Sequence, residues 1–235
     1  MLDWMRARPI AHRGLHDSAN GVFENTLSAA RRAMDRQFHI EVDLHTSADG
    51  VPMVFHDFGL KRLTGASGSV RDRTAGELQD LAVGGADRIP TLRQLLDLIA
   101  GRVGLVLELK GVAGRDDGFV AAVAAELNRY DGPVAIMSFD DWLLTDARRD
   151  APQLALGLTA EGDDKHYETH WRIARALDVD FVSYGIRDLP CRFVSEFRES
   201  GKPVITWTIR SPDDAQKSAR YADQITFEGY DPDRT

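Results

Sequence analysis

The chain has 235 residues, 43% of them hydrophobic and 28% charged, the profile of an ordinary globular protein rather than a disordered or membrane-spanning one. Lys and Arg total 29 against 37 Asp and Glu, a net charge of −8, which argues against a nucleic-acid surface and means that an anionic substrate needs a local cation. Cys191 is the single cysteine, so neither an intrachain disulfide nor a cysteine-rich zinc site is expected. The opening MLDWMRARPIAHRG lacks the long apolar core of a signal peptide and no run approaches transmembrane length, so a cytoplasmic protein without stable membrane insertion is expected.

In chain order, Arg8 to Gly14 reads as a very short strand ending in a polar cluster. Val22 to Gln37 reads as a helix, because Phe23, Leu27, Ala30 and Met34 recur at spacings of three and four. Ile40 to Thr46 is the second strand, and Pro52 to Phe55 returns after an Asp49-Gly50 turn as its extension. Phe58 to Pro90 shows no strong periodicity beyond a short helix from Thr74 to Leu81. Thr91 caps the helix LRQLLDLIA, and Gly101 ends it.

From Gly104 onward strands and helices alternate. Strands at Gly104–Gly111, Pro133–Phe139, Gln153–Leu158, Phe181, Lys202–Ile209 and Ile225 are interleaved with helices. The helices are Asp117–Tyr130, Asp140–Asp150, Lys165–Leu177, Arg192–Ser200 and Pro212–Tyr221. With Ile10 and Ile40 this makes eight βα-type strands, which predicts a single-domain α/β protein, a (β/α)₈ barrel spanning residues 1–235. An open doubly wound sheet is the alternative, but the chain has neither GxGxxG nor GxxxxGK[ST].

Strand side chains alternate faces. In IEVDLH, Ile40, Val42 and Leu44 point one way, and Glu41, Asp43 and His45 the other. LVLELK repeats the pattern, with Glu108 and Lys110 opposite Leu105, Leu107 and Leu109. Inside a barrel the acidic faces converge, and Glu41, Asp43 and Glu108 form an oxygen-ligand set suited to Mg²⁺ or Ca²⁺. Taken singly, these residues also fit plainer roles: a solvated strand face for the acids, an exposed ion pair for Glu108 and Lys110, helix capping for Asn25 and Thr26, and core for Trp207. The joint pattern is harder to dismiss, since the acids fall at strand ends together with His12 and His56.

The ordered set HRG (His12–Gly14), ENT (Glu24–Thr26), E-x-D (Glu41, Asp43), DG-x-P-x-V-x-HD (Asp49–Asp57), L-x-R-x-TG (Leu60–Gly65), PTL (Pro90–Leu92), E-x-K (Glu108, Lys110), SF (Ser138, Phe139) and WT (Trp207, Thr208) resembles the glycerophosphodiester phosphodiesterases. The resemblance implies a (β/α)₈ barrel with Mg²⁺ or Ca²⁺ held by Glu41, Asp43 and Glu108, and with His12 and His56 as general acid and base. It further implies phosphate contacts from Arg13 and Lys110, and aromatic contacts near the glycerol pocket from Phe139 and Trp207. The implied substrate is a small phosphodiester such as glycerophosphocholine, cleaved to glycerol 3-phosphate and an alcohol. Whether a cyclic phosphate forms on the way is left open. Two departures stand out: Ile209-Arg210 where family members often have Val-Asn, and Phe227-Glu228 where a TD-x-P motif is usual. Both are expected at the pocket rim, where they bear on the leaving group. A lysophospholipase D-type activity is a second expectation, with an apolar approach surface from Trp4, Met5, Trp142, Leu143 and Leu144; a non-catalytic barrel is a third.

Overall fold

In the computed structural model, which describes residues 2–116 and 118–234, eight strands run parallel and close on themselves. They are β1 (Ile10–Ala11), β2 (His39–Thr46), β3 (Leu105–Leu109), β4 (Val134–Ser138), β5 (Ala155–Ala160), β6 (Phe181–Gly185), β7 (Val204–Ile209) and β8 (Gln224–Phe227). Although only two residues long, β1 closes the ring. Ile10 and Ala11 register with Thr226 and Phe227 on one side and with His39 and Ile40 on the other. This double pairing gives the (β/α)₈ barrel and excludes the open sheet. The connecting helices run from Leu27–Asp35 round to Pro212–Tyr221, as parallel neighbours require.

The two faces of each strand meet different partners. Ile40, Val42, Leu44, Leu105, Leu107 and Leu109 point outward and are buried in one core under the helices, against residues such as Ala33, Leu92, Leu96 and Ile99. Each such side chain contributes roughly 1.5–3 kcal/mol relative to exposure. The inward face is split. At the N-terminal end, Leu2 and, on the short helix Asp3–Ala7 that follows it, Met5 plug the barrel against Ile10, Val106, Ala135, Ala155, Phe181 and Ile205. The plug is pinned where the Trp4 carbonyl lies 2.7 Å from His39 Nε2. Gly157 makes room for the Phe181 ring beneath it, since a Cβ there would come within 2.2 Å of that ring. Polar side chains are thereby left to the C-terminal end.

Several boundaries differ from the sequence reading. The helix expected from Val22 starts at Leu27, because Asn25 adopts φ +57° and turns the chain. Thr26 caps that helix, its Oγ1 accepting from the Ala29 amide at 3.2 Å. Phe23 packs elsewhere, on a satellite core formed by the region after β2. That region is more structured than its lack of periodicity suggested. Met53, Phe55, Leu60, Val70, Leu78, Val83 and Ile89 are buried together, with a small hairpin pairing Ala82–Val83 to Asp87–Arg88. The Pro52–Val54 strand pairs antiparallel with the end of β2, as an extension of it. The helix expected at Asp117–Tyr130 is observed at Phe119–Leu127, and Asp117 lies outside the described residues.

Candidate active site

A cavity of about 590 Å³ opens at the C-terminal ends of the strands, where barrel enzymes place their chemistry. Its lining includes His12, Arg13, Glu41, Asp43, His56, Glu108, Lys110, Phe139 and Trp207. All nine residues singled out from sequence therefore face one space. Register explains the acids: Asp43 on β2 pairs directly with Glu108 on β3, and Glu41 lies two residues before Asp43 on the same face. Ligand oxygens from the three carboxylates lie within 4.8 Å of one another, all three residues buried.

Such crowding has an electrostatic consequence. Burial and the neighbouring charges of Asp43 and Glu108 push Glu41 well above the ordinary carboxylate range. Burial raises Glu108 to about 7, against the pull of Lys110. Asp43 would also rise through burial, but Lys110 and Arg13 outweigh that and bring it to about 2. Lys110 Nζ contacts Glu108 Oε1 and sits 3.2 Å from Asp43 Oδ1. Arg13 Nε lies 3.3 Å from Asp43 Oδ2, and the Arg13 amide donates to Glu41 Oε2 at 3.0 Å. Glu41 Oε1, by contrast, is buried with no hydrogen-bond partner. An orphaned buried carboxylate oxygen is costly, and a hard divalent cation bound by Glu41, Asp43 and Glu108 would satisfy it. The donor set fits the expected Mg²⁺ or Ca²⁺.

The loop after β1 is shaped for this contact. Arg13 and Gly14 are both left-handed, at φ +56° and +78°, and a Cβ on Gly14 would come within 2.8 Å of Ala29. Only glycine lets the helix Leu27–Asp35 press against the loop while Arg13 faces the acids. Asn25 does more than the capping role open to it in sequence. Its side chain is buried, and Nδ2 donates to Asp43 Oδ2 at 2.9 Å.

The two histidines border the same cavity. His56 Nδ1 lies 2.7 Å from Asp57 Oδ1, and Arg62 grips Asp57 through contacts of 2.6 and 2.9 Å. Arg62 also binds Glu24, which accepts from Arg13 Nη1 at 2.7 Å. His45, unassigned from sequence, points at no acid. Its Nε2 lies 2.8 Å from the backbone carbonyl of His56, to which it donates, so it fixes the loop carrying His56. His12 Nδ1 lies 2.6 Å from Glu228 Oε2. Glu228 thus stands directly beside His12. Sequence pattern could not assign it a role, because the two residues are 216 positions apart.

Phe139 is exposed and packs edge-on against Trp207, their ring centroids 5.5 Å apart. The apolar approach surface expected from Trp4, Met5, Trp142, Leu143 and Leu144 is not one. Met5 and Trp4 belong to the plug at the opposite end, Leu143 and Leu144 are fully buried, and Trp142 packs on the core. Among the described residues, the large apolar side chains that are exposed are Phe58, Val112 and Phe139. Each directly follows a cavity-end motif: His56-Asp57, Lys110-Gly111 and Ser138.

Comparison with known proteins agrees with this geometry. Residues 12–226 match the model of the glycerophosphoryl diester phosphodiesterase family. The chain is 30% identical over 226 residues to a glycerophosphodiester phosphodiesterase of Caldanaerobacter subterraneus subsp. tengcongensis, covering 91% of this chain and 90% of the relative. It is 25% identical to glycerophosphodiester phosphodiesterase 1 of Bos taurus, over 89% of this chain and 73% of that one. Among solved structures, a phosphodiesterase of Oleispira antarctica in complex with the product sn-glycerol-3-phosphate has a TM-score of 0.84 at 27% identity, covering 94% of this chain and 92% of that one.

Proposed function

The chain belongs to the glycerophosphoryl diester phosphodiesterase family and is a phosphodiesterase; from that premise we propose that it hydrolyses glycerophosphodiesters of small alcohols, such as glycerophosphocholine or glycerophosphoethanolamine, to glycerol 3-phosphate and the free alcohol. One observation carries the reading: two histidines, each oriented by a carboxylate, line the same cavity as a buried three-acid cluster with an unpartnered oxygen.

The residues divide the work as the chemistry demands. A phosphodiester monoanion resists attack until its oxygens are neutralised. Arg13 and Lys110 supply fixed positive charge beside the acids, and a divalent cation held by Glu41, Asp43 and Glu108 would add Lewis-acid polarisation of the phosphoryl oxygens. His12 and His56 then serve as the acid–base pair, one accepting the nucleophile's proton and the other donating to the leaving alcohol. Such a group typically contributes ~10²–10⁴-fold. Phe139 and Trp207 wall the space beside the phosphate for the glycerol and alcohol ends. The substrate in the Oleispira antarctica complex is represented by its product, sn-glycerol-3-phosphate, which supports the glycerol-phosphate half of this assignment.

The test is release of glycerol 3-phosphate from glycerophosphocholine with Mg²⁺, Ca²⁺ or Mn²⁺ supplied, and its loss on chelation with EDTA. Turnover that ignores EDTA would remove the metal from the account. A second reading, a lysophospholipase D-type activity, draws on the exposed Phe58, Val112 and Phe139. Preference for lysophosphatidylcholine over glycerophosphocholine would favour it.

A further inference from the structure

Arg210, just after β7, and Glu228, just after β8, contact each other. Arg210 Nε donates to Glu228 Oε1 at 2.9 Å, and its Nη2 lies 2.7 Å from the same oxygen. The other carboxylate oxygen, Oε2, faces His12 Nδ1 at 2.6 Å and His16 Nε2 at 3.4 Å. Both oxygens of Glu228 are thus committed to partners, and neither is left for a substrate. The same pattern recurs at the second histidine, where Arg62 holds Asp57 and Asp57 holds His56 Nδ1. There the carboxylate is the next residue in the chain. Here it comes from the far end of the molecule, just after β8.

Resting on the phosphodiesterase reading above, we propose that Glu228 is a positioning residue for His12: held by Arg210, it fixes the Nδ1–H tautomer and turns Nε2 toward the reacting phosphate. A neutral imidazole has one N–H and one lone pair, and the hydrogen bond made by one nitrogen dictates the state of the other. An acceptor-only carboxylate at 2.6 Å from Nδ1 requires the proton there. That leaves Nε2, which lies 3.9 Å from Glu41 Oε2 at the cavity, as the nitrogen that exchanges protons with substrate. When Nε2 takes up a proton, the adjacent carboxylate stabilises the imidazolium, the role a buried acid plays in hydrolase triads. The ion pair to Arg210 matters less in energy, because the Arg210 side chain is 56% exposed and exposed pairs contribute little. Its function is to hold Glu228 in one rotamer.

The test combines a spectroscopic readout with kinetics. In protein carrying ¹⁵N-labelled histidine, the His12 ring, assigned by its loss in His12→Asn, is expected to show a protonated Nδ1 and a bare Nε2. Glu228→Leu should shift it toward the Nε2–H form that the free histidine side chain prefers. The same variant should lower kcat on glycerophosphocholine by at least roughly tenfold with KM nearly unchanged, a fraction of the effect seen when a triad acid is altered. Glu228→Gln, which keeps an acceptor oxygen, should retain the tautomer and recover part of kcat; Arg210→Met should cost only a few-fold. Melting curves check that each variant is folded, and Glu228→Gln carries the test if Glu228→Leu is not. An Nε2–H tautomer in the wild type, or a Glu228→Leu enzyme with unchanged kcat or with a change in KM alone, would overturn the proposal. The tautomer is read without turnover, so a wild type that does not cleave glycerophosphocholine would count against the substrate and leave this assignment standing.

Discussion

Glu41, Asp43 and Glu108 are ordinary residues in an acidic protein until their side chains are placed inside a barrel. The fold then sets two cations, Lys110 and Arg13, and the amide of Asn25 against Asp43, and leaves Glu41 Oε1 without a hydrogen-bond partner. From that asymmetry follows a prediction. Glu41→Gln removes charge with little change in shape, so it should weaken Mg²⁺ or Ca²⁺ binding by roughly tenfold or more, the scale already seen for changes to groups that merely support metal ligands. Calorimetric titration checks this, and an unchanged affinity would take Glu41 out of the ligand set. His12→Ala and His56→Ala should each reduce kcat on glycerophosphocholine by about 10²–10⁴-fold with a folded protein by circular dichroism; near-normal turnover in both would sink the acid–base assignment. The acids are legible in sequence because period-two alternation puts polar residues together on one strand face, and His12 and His56 because they fall at strand ends in the HRG and HD motifs. Glu228, Asn25 and His45 were not, since their roles depend on which chain segments the closed barrel brings together.

Among the elements, the strands were read more accurately than the loops between them. Strands announce themselves by alternation, and β1, only two residues long, was marked by the polar cluster that follows it. Phe23 sits at helical spacing from Leu27, so the periodicity predicts a longer helix before β2 than forms, because the left-handed Asn25 separates the two residues. Within the satellite core after β2, the Pro52–Val54 strand and the Ala75–Gln79 helix are legible in sequence, whereas the packing of Leu60, Val70, Val83 and Ile89 is not, because these residues follow no single period. Tight contacts between elements give predictions of their own. Gly157→Ala places a methyl within 2.2 Å of the Phe181 ring, and overpacking of this kind costs about 1–3 kcal/mol. Gly14→Ala meets Ala29 at 2.8 Å and must hold φ +78°. Chemical denaturation should show both variants destabilised. Gly157→Ala should retain kcat, since its clash is with Phe181 at the apolar end of the barrel interior and not in the cavity, whereas Gly14→Ala should lose activity because it displaces the loop bearing His12 and Arg13. Equal kcat in the two variants would contradict the division of the barrel interior into a structural plug and a chemical end.

At the scale of the whole molecule, the barrel separates these two ends by sequence alone: apolar inward residues low in the strands, ionisable ones high. No helix among the described residues is long and apolar enough to cross a membrane, and the exposed Phe58, Val112 and Phe139 each follow a motif of the cavity in sequence. If they serve a single-chain lipid, Phe58→Ser with Phe139→Ser should reduce cleavage of lysophosphatidylcholine several-fold more than that of glycerophosphocholine. Equal losses would confine these side chains to general support of the mouth. The measurement closest to the central claim is turnover of glycerophosphocholine by the purified chain, followed as glycerol 3-phosphate released with and without Mg²⁺ or Ca²⁺. The structure predicts metal-dependent release of glycerol 3-phosphate that EDTA abolishes and that Glu41→Gln impairs. Release of choline phosphate in place of glycerol 3-phosphate, or no cleavage with any divalent cation, would contradict it.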